Sequence, residues 1–431
     1  MTICGLDFGT SNSTIGVHTD AGDTMVPLEQ DATGTWHSTL PSALFFGFDD
    51  TTIDFGRKAI ARYTAGEPGR LMRSMKSILG SSTMADTTQV LGRAYSFDEI
   101  IGLFVARLRT AAQNTLPGEC TALDAVVMGR PVFFNDTKPD LDKAAEQHLG
   151  AIATLAGFKE VSFQYEPIAA ALDYESRIAS EELALIVDIG GGTSDFTVIR
   201  LSPERHHLLD RGDDLLANHG IHLGGTDFDR NLSLRGVMGA FGLGLPMRDK
   251  PTMDMPSYYY HDLATWHRIH LLYERSVFNE LEQLLGLVSD KMPIRQLISL
   301  LKRRKGHQLA ALVETAKITL SSQATAEVPL GALFEGASDD TTDPRTLTQA
   351  MLQSALERDV ERIFSALDDA LIQAGLSVRD IDTVFTTGGS TALPLIKACV
   401  ENTFPDAKHV EGDLYTSVGS GLLTEARKRY R

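Results

Sequence analysis

Cysteine is scarce in this chain of 431 residues. The three present, Cys4, Cys120 and Cys399, lie far apart, with no C-x-x-C pair and no histidine nearby at ligand spacing. That excludes a zinc knuckle and a disulfide framework and fits a reducing, cytoplasmic setting. Basic charge is also short, with 40 Lys and Arg against 57 Asp and Glu and a formal net charge of −17. Affinity for phosphate backbones comes from clustered Lys and Arg, so neither nucleic acid nor an anionic membrane surface is an expected partner. No apolar run reaches the ~18–20 residues of a bilayer span. The amino terminus runs straight into a strand-like segment, without the basic and apolar regions of a secretory leader. Nor does any low-complexity linker interrupt the chain.

What remains is a globular composition, 43% hydrophobic and 23% charged. The length exceeds the ~250–300 residues at which single cores stop growing, so at least two domains are expected. Short apolar runs in 1–47 ("MTICGLDFG", "TIGVHTD", "TMVPLEQ", "LPSALFFGF") predict an antiparallel meander. Helical periodicity follows over about 56–115, then the strand "ALDAVVMGRPV", a helix near 137–156, the strand "VSFQY" and a helix from "EPIAAALDYE". A second meander is predicted from "ALIVDIGGG", "DFTVIRL" and "HHLLDRG". Beyond it come a helix after "HLGGTDFDRNL", helical sequence over 261–321, the strand "AEVPL", a helix at 345–374, the strand "DTVFTT" and helices at 391–402 and 413–428. The two halves read as copies of one βββαβα plan, the trace left by two related domains facing a cleft.

Each copy opens with the same grammar: an aspartate near the end of a strand, then a tight glycine turn bearing hydroxyls. The first is "CGLDFGTSNSTIGV" (4–17), with Asp7, Gly9, Thr10, Ser11 and Asn12; the second is "ALIVDIGGGTSDFTV" (184–198), with Asp188, Gly190, Gly191, Gly192, Thr193, Ser194 and Asp195. Glycine lets the backbone approach a phosphate and aim its N–H groups at it. Two carboxylates beside phosphates hold Mg²⁺ directly or through its retained waters. One such turn is as well explained as an ordinary β-turn; two at matching places are specific. A third loop, "TTGGSTALP" (386–394), offers Gly388 and Gly389, with Ser390 or Thr391 expected to cap the following helix. A fourth, "HLGGTDFD" (222–229), offers Gly224, Gly225 and Thr226 before a helix.

These residues carry a family resemblance over nearly the whole chain: it is similar to the ATPase domain of the Hsp70 chaperones, within the actin, sugar kinase and Hsp70 superfamily. "GLDFGTSNS" resembles the first phosphate loop, "VDIGGGTSDFTV" the second, "YEPIAAALDYE" the connecting helix and "TTGGSTALP" the adenosine loop. "MKSILG" (75–80) resembles the segment of the catalytic lysine, and "VETAKITLSS" (313–322) the adenosine-contacting helix. The resemblance implies an α/β, duplicated actin-like (ribonuclease H-like) fold, two lobes around a nucleotide cleft. The first lobe would be 1–181, with core 1–37 and 120–181 and small subdomain 38–119. The second would be 182–431, with core 182–226 and 324–412, small subdomain 227–323, and the helix at 413–428 packing back on the first lobe.

It further implies ATP or ADP and Mg²⁺ as ligands. Asp7, Asp188 and Asp195 would lie near the metal and its waters, and Thr10, Ser11 and Thr193 on the phosphates. Lys76 and Glu166 would flank the γ-phosphate, Glu314, Lys317 and Ser321 the ribose and base, and Gly389 and Asp413 the nucleoside. Phosphoryl transfer to water needs charge compensation and a positioned water more than covalent chemistry, which a lysine, a metal and carboxylates supply.

The chain also departs from the family. Ile318 and Ala392 occupy the positions of the arginines that sandwich adenine, so weaker adenine binding and looser base selectivity are expected. Glu314 follows Asp227 by 87 positions, more than the chaperone pattern needs. The sequence stops at Arg431 without an acidic-leucine linker or a peptide-binding domain, an outline shared by the truncated YegD-type Hsp70-like proteins. The expected activity is slow Mg-dependent ATP hydrolysis in a chaperone-like or regulatory protein, with a client or regulator docking on 240–310. A small-molecule kinase and an actin-like filament are the rival readings. His261, His267 and His270 read as packing rather than metal ligands, "KRRK" (302–305) as a solvated helix end, and Tyr258–Tyr260 as either packing or a patch.

Overall fold

A computed structural model describes residues 2–19, 22–31, 33–79, 84, 86–116, 123–135, 138–334, 343–411 and 417–430. Two sheets of one topology organise it. In the first, β1 (Thr2–Phe8), β2 (Asn12–Thr19) and β3 (Gly22–Met25) form an antiparallel meander, and β4 (Leu123–Arg130) and β5 (Glu160–Tyr165) add in parallel, giving the order β5-β4-β1-β2-β3. The second repeats it with β6 (Glu182–Ile189), β7 (Ser194–Leu201), β8 (Leu215–Ile221), β9 (Thr383–Thr387) and β10 (Lys408–Glu411), in the order β8-β7-β6-β9-β10. The central strands β1 and β6 have nearly continuous apolar interiors, as strands covered on both faces require.

The helix Glu166–Glu175 is wedged between the two sheets. Ile168, Ala171 and Leu172 pack on Ala184, Ile186, Ile199 and Phe385 of the second sheet, whereas Ala169 joins Ile3, Ala125 and Val127 of the first together with Leu422 and Ala426. Those last two belong to the helix Ser417–Tyr430, which lies across β1. Gly5 permits that approach: a Cβ there would run into the backbone at Leu422 and Leu423.

Several expectations are corrected. The third strand of the second meander is Leu215–Ile221, not "HHLLDRG". Arg211 in that stretch is instead drawn into a buried ionic cluster, its guanidinium donating to both Glu175 carboxylate oxygens at 2.7 and 2.8 Å and pairing with Asp214. The 56–115 segment is not uniformly helical. Helices Gly56–Thr64 and Phe97–Thr115 flank a strand Gly69–Arg73, a 3₁₀ turn Met75–Ile78 and a hairpin of Thr87–Val90 with Arg93–Ser96. Residues 345–374 begin as a strand, Arg345–Thr348, paired with Thr325–Val328 before the helix Gln349–Ala374. The strand Lys408–Glu411 carried no sequence signal strong enough to be expected. Among the described residues no helix is long and apolar enough to cross a membrane.

The helical region 261–321 consists of short helices, including Arg275–Leu285, Met292–Lys302 and Gly306–Leu320. They belong to the second lobe's interior: Met238, Phe241, Tyr259, Tyr260, Leu263, Ile269 and Leu297 share one core with Val187, Phe228 and Leu356. Tyr259 and Tyr260 are buried, while Tyr258 is 45% exposed and donates to Glu280. Lys302 ends its helix facing Glu282 at 3.4 Å.

Candidate nucleotide site

The equivalent ends of β1 and β6 bring Asp7 and Asp188 into one cleft. β1 and β2 are joined by the turn of Gly9–Ser11, β6 and β7 by that of Gly190–Thr193. Gly9 is tightly placed: a Cβ would collide with the Asn12 carbonyl, and Ser42 donates to its carbonyl oxygen at 2.6 Å. The second turn closes through the Gly190 N–H, which donates to the Thr193 carbonyl at 2.9 Å. A Cβ on Gly191 would strike the Ser11 hydroxyl, so the two turns face each other across the cleft.

The two further glycine loops are knitted to the second turn. Gly225 and Thr226 donate to the carbonyls of Gly190 (3.0 Å) and Gly191 (2.7 Å), and the Ser390 hydroxyl donates to Gly190 at 3.0 Å. A Cβ on Gly388, whose φ is +83°, would lie 2.5 Å from an Asp188 carboxylate oxygen. The helix Pro394–Thr403 has no side-chain cap. Ser390 is used on Gly190, and Thr391 donates to Gly388 at 2.7 Å, which corrects the capping role expected of them. Ser194 is turned from the cleft, donating to the Leu223 carbonyl at 2.8 Å.

Lys76 reaches the same cleft because Ser74, at φ +53° in the left-handed region, redirects the chain after the strand Gly69–Arg73. Its ammonium is ion-paired with Glu166, the first residue of the wedged helix. Each carboxylate keeps a strip of surface open to the cleft, yet the cleft lies deep in protein. Burial, then Glu166, pushes Asp7 up to about 7, against the pull of Lys76. Burial and the neighbouring Asp195 and Glu166 push Asp188 up to about 7 as well. Burial raises Asp195, opposed by its hydrogen bond from Thr193. Burial works against the charge on Lys76, but Glu166, Asp7 and Asp188 together hold it above the ordinary lysine range. The site is thus one buried cation among four carboxylates, an excess of negative charge suited to a divalent ion. Among the described residues no three His, Cys, Asp or Glu side chains form a cage for a metal alone. Mg²⁺, which keeps several of its waters and takes few protein oxygens, needs no such cage.

The remaining expected residues lie on the second lobe. Lys317 donates to the Gly225 carbonyl at 3.0 Å and pairs with Asp229 at 2.8 Å, so its ammonium braces the fourth loop rather than standing free for a ribose. Glu314 acts electrostatically on that pair. Ser321 donates to the Ile318 carbonyl at 2.6 Å at the end of the helix Gly306–Leu320. Ile318 is 61% exposed and Ala392 half-buried. Asp413 lies outside the described residues. Asp229 and His222, which acts on Asp195, were missed from sequence. Asp229 was legible in "GGTDFD" as the second acid after the glycines, His222 only from the fold.

Two sheets of one topology, with phosphate-type turns meeting over paired aspartates, define the actin-like, two-lobed class. Comparison with known proteins narrows it. The family model described as Hsp70 protein matches residues 3–235 and 287–424. The chain is 24% identical over 401 residues to a chaperone protein DnaK from Methanothermobacter thermautotrophicus, an alignment covering 93% of this chain and 55% of that protein. The chain belongs to the Hsp70 family and spans about half the length of that curated relative. Residues 236–286 fall between the two matched stretches.

Proposed function

We propose that this Hsp70-family protein binds ATP and ADP with Mg²⁺ between its lobes and hydrolyses ATP slowly, as a nucleotide-switched chaperone-like or regulatory protein. The observation that carries this is the meeting of Asp7, Lys76, Glu166, Asp188 and Asp195, drawn from both lobes, beneath facing glycine turns. The N–H groups of the two turns, with the hydroxyls of Thr10, Ser11 and Thr193, cradle the phosphates. Asp7, Asp188 and Asp195 would hold Mg²⁺, directly or through its waters, and the metal would supply charge neutralisation at the phosphate oxygens. Lys76 adds a positive charge at the terminal phosphate, and Glu166 orients the ammonium and can accept a proton from the attacking water. Gly388 and Gly389 leave room for the nucleoside, whose base meets the exposed Ile318 rather than a guanidinium. Discrimination between adenine and guanine is accordingly weak. The surface of the 240–310 region is the proposed place for a client or regulator.

Calorimetric titration with ATP, ADP and GTP, with and without Mg²⁺, tests the reading, with Asp188→Ala as control. We expect Mg²⁺-dependent binding that Asp188→Ala removes, with ATP and GTP affinities within about tenfold, the ratio that ~1.4 kcal/mol of lost stacking corresponds to. Absence of binding by either adenine nucleotide defeats the proposal. Strong exclusion of GTP would show that another group reads the base.

A further inference from the structure

The segment between the two stretches that the family model matches reaches across the cleft. Trp266 lies in 236–286, on the second lobe, and the guanidinium of Arg73, on the first, stacks over its ring at 4.6 Å from the centroid. Tyr63, on the neighbouring helix Gly56–Thr64, meets the same group from the side: its ring lies 6.2 Å from Trp266 and, edge-on, 4.6 Å from His307. His307 completes the cluster. Its Nε2 lies 3.1 Å from the Trp266 carbonyl, which can only accept, so the ring carries a proton there. The Tyr63 hydroxyl oxygen, at 3.2 Å from the same nitrogen, shares that donor. These are contacts between lobes, made by residues far apart in sequence.

Arg73 is the pivotal member. Among the described residues it has no ion-pair partner, though its charge is near enough to oppose slightly the burial that pushes Asp229 up to about 6. It also lines a small pocket with Thr10, Ser11, Ser42 and Ser74, at the edge of the first phosphate turn. It is the last residue of its strand, and the left-handed Ser74 follows at once, delivering Lys76 to Glu166. Whatever fixes Arg73 therefore fixes the start of the turn that carries Lys76. A half-buried arginine with no carboxylate partner still has many rotamers, and a tryptophan face is the strongest of the aromatic seats for it.

We propose that Trp266, through Arg73, is a positioning residue for Lys76 and an inter-lobe clasp that sets how fast nucleotide leaves the cleft. The inference rests on the nucleotide reading above and deepens it. Opening the lobes separates the Arg73–Trp266 stack and the Tyr63–His307 edge contact together, so both must be lost before nucleotide escapes. Because Trp266 belongs to a segment rooted in the second lobe's core, through Leu263, Ile269 and Leu272, the clasp is carried on a rigid mount.

The test is release of a fluorescent N-methylanthraniloyl ADP, chased with excess ADP in a stopped-flow instrument. Trp266→Ala and Arg73→Ala should each speed release by about 3- to 30-fold, the range one cation–π contact spans. The double variant should be no faster than the faster single one, because both remove the same contact. Trp266→Phe, which keeps a ring face for Arg73, should restore most of the slow release. Trp36→Phe is the neutral control, since Trp36 is 60% exposed on the first lobe. That variant also leaves Trp266 as the one tryptophan, whose emission should change on nucleotide addition and lose that response with Arg73→Ala. Release unchanged in both alanine variants, with tight binding in the parent, overturns the clasp and leaves the nucleotide reading standing. Failure of the parent to bind the probe or ADP overturns both. Arg73, a half-buried side chain, gives a variant that keeps its fold even if Trp266→Ala does not.

Discussion

At the scale of single residues, the cleft is held together by groups in conflict with their surroundings. Asp7 and Asp188 both titrate near 7 because burial and neighbouring carboxylates disfavour their charge. An acid whose folded pKa is raised binds its proton more tightly folded than unfolded. Its stabilising effect is complete below the ordinary aspartate range and is lost as pH rises through about 7. In chelator, the unfolding midpoint should fall between about pH 5 and pH 8, and Asp188→Asn, neutral at every pH, should flatten that fall. An equally steep fall in Asp188→Asn would place the responsible group elsewhere. The two aspartates were readable from sequence because each ends an apolar strand before a glycine turn. Lys317 was expected beside the ribose and base, and its contacts within the protein, to the Gly225 carbonyl and Asp229, were not foreseen. Its bond to Asp229 depends on how the helix Gly306–Leu320 meets the fourth loop, and a linear pattern carries no such angle.

Secondary-structure elements are fitted closely where the last helix crosses the first sheet. A Cβ on Gly421 would collide with the Ala169 carbonyl of the wedged helix, and one on Gly419 with the Thr14 hydroxyl. Backbone against backbone cannot yield by a rotamer change. Gly421→Ala should therefore destabilise the protein by about 1–3 kcal/mol despite its helix-favouring side chain, read as a lowered thermal midpoint. No loss would mean that the helix can lift from the sheet. The first meander, the first two strands of the second and the parallel strands Leu123–Arg130, Glu160–Tyr165 and Thr383–Thr387 were legible because alternating or continuous apolar runs specify them. The strand Gly69–Arg73 was not, because "GRLMR" has few β-branched residues and pairs with Ala43–Gly47 only through tertiary placement. "HHLLDRG" failed for another reason: its hydrophobic look concealed an arginine whose buried partner, Glu175, is 36 positions away.

For the molecule as a whole, binding between two lobes links stability to ligand concentration. A nucleotide that binds only the folded state stabilises it by about 2.7 kcal/mol at a hundredfold excess over Kd. The thermal midpoint should therefore climb with the logarithm of ATP concentration in Mg²⁺ and stay flat in chelator. A flat response in Mg²⁺ would contradict nucleotide binding at the cleft. The family model matches both flanks of 236–286, and that segment is built into the second lobe's core. The path of the backbone adds something more mechanical. It passes from the first lobe to the second after Glu175 and back between residues 411 and 417, where the strand Lys408–Glu411 gives way to a helix lying on the first sheet. Two crossings fix a line, as two pins fix a door. Rotation about that line leaves both crossings in place. A contact at the cleft's mouth, far from both crossings, has the longest lever against rotation about that line.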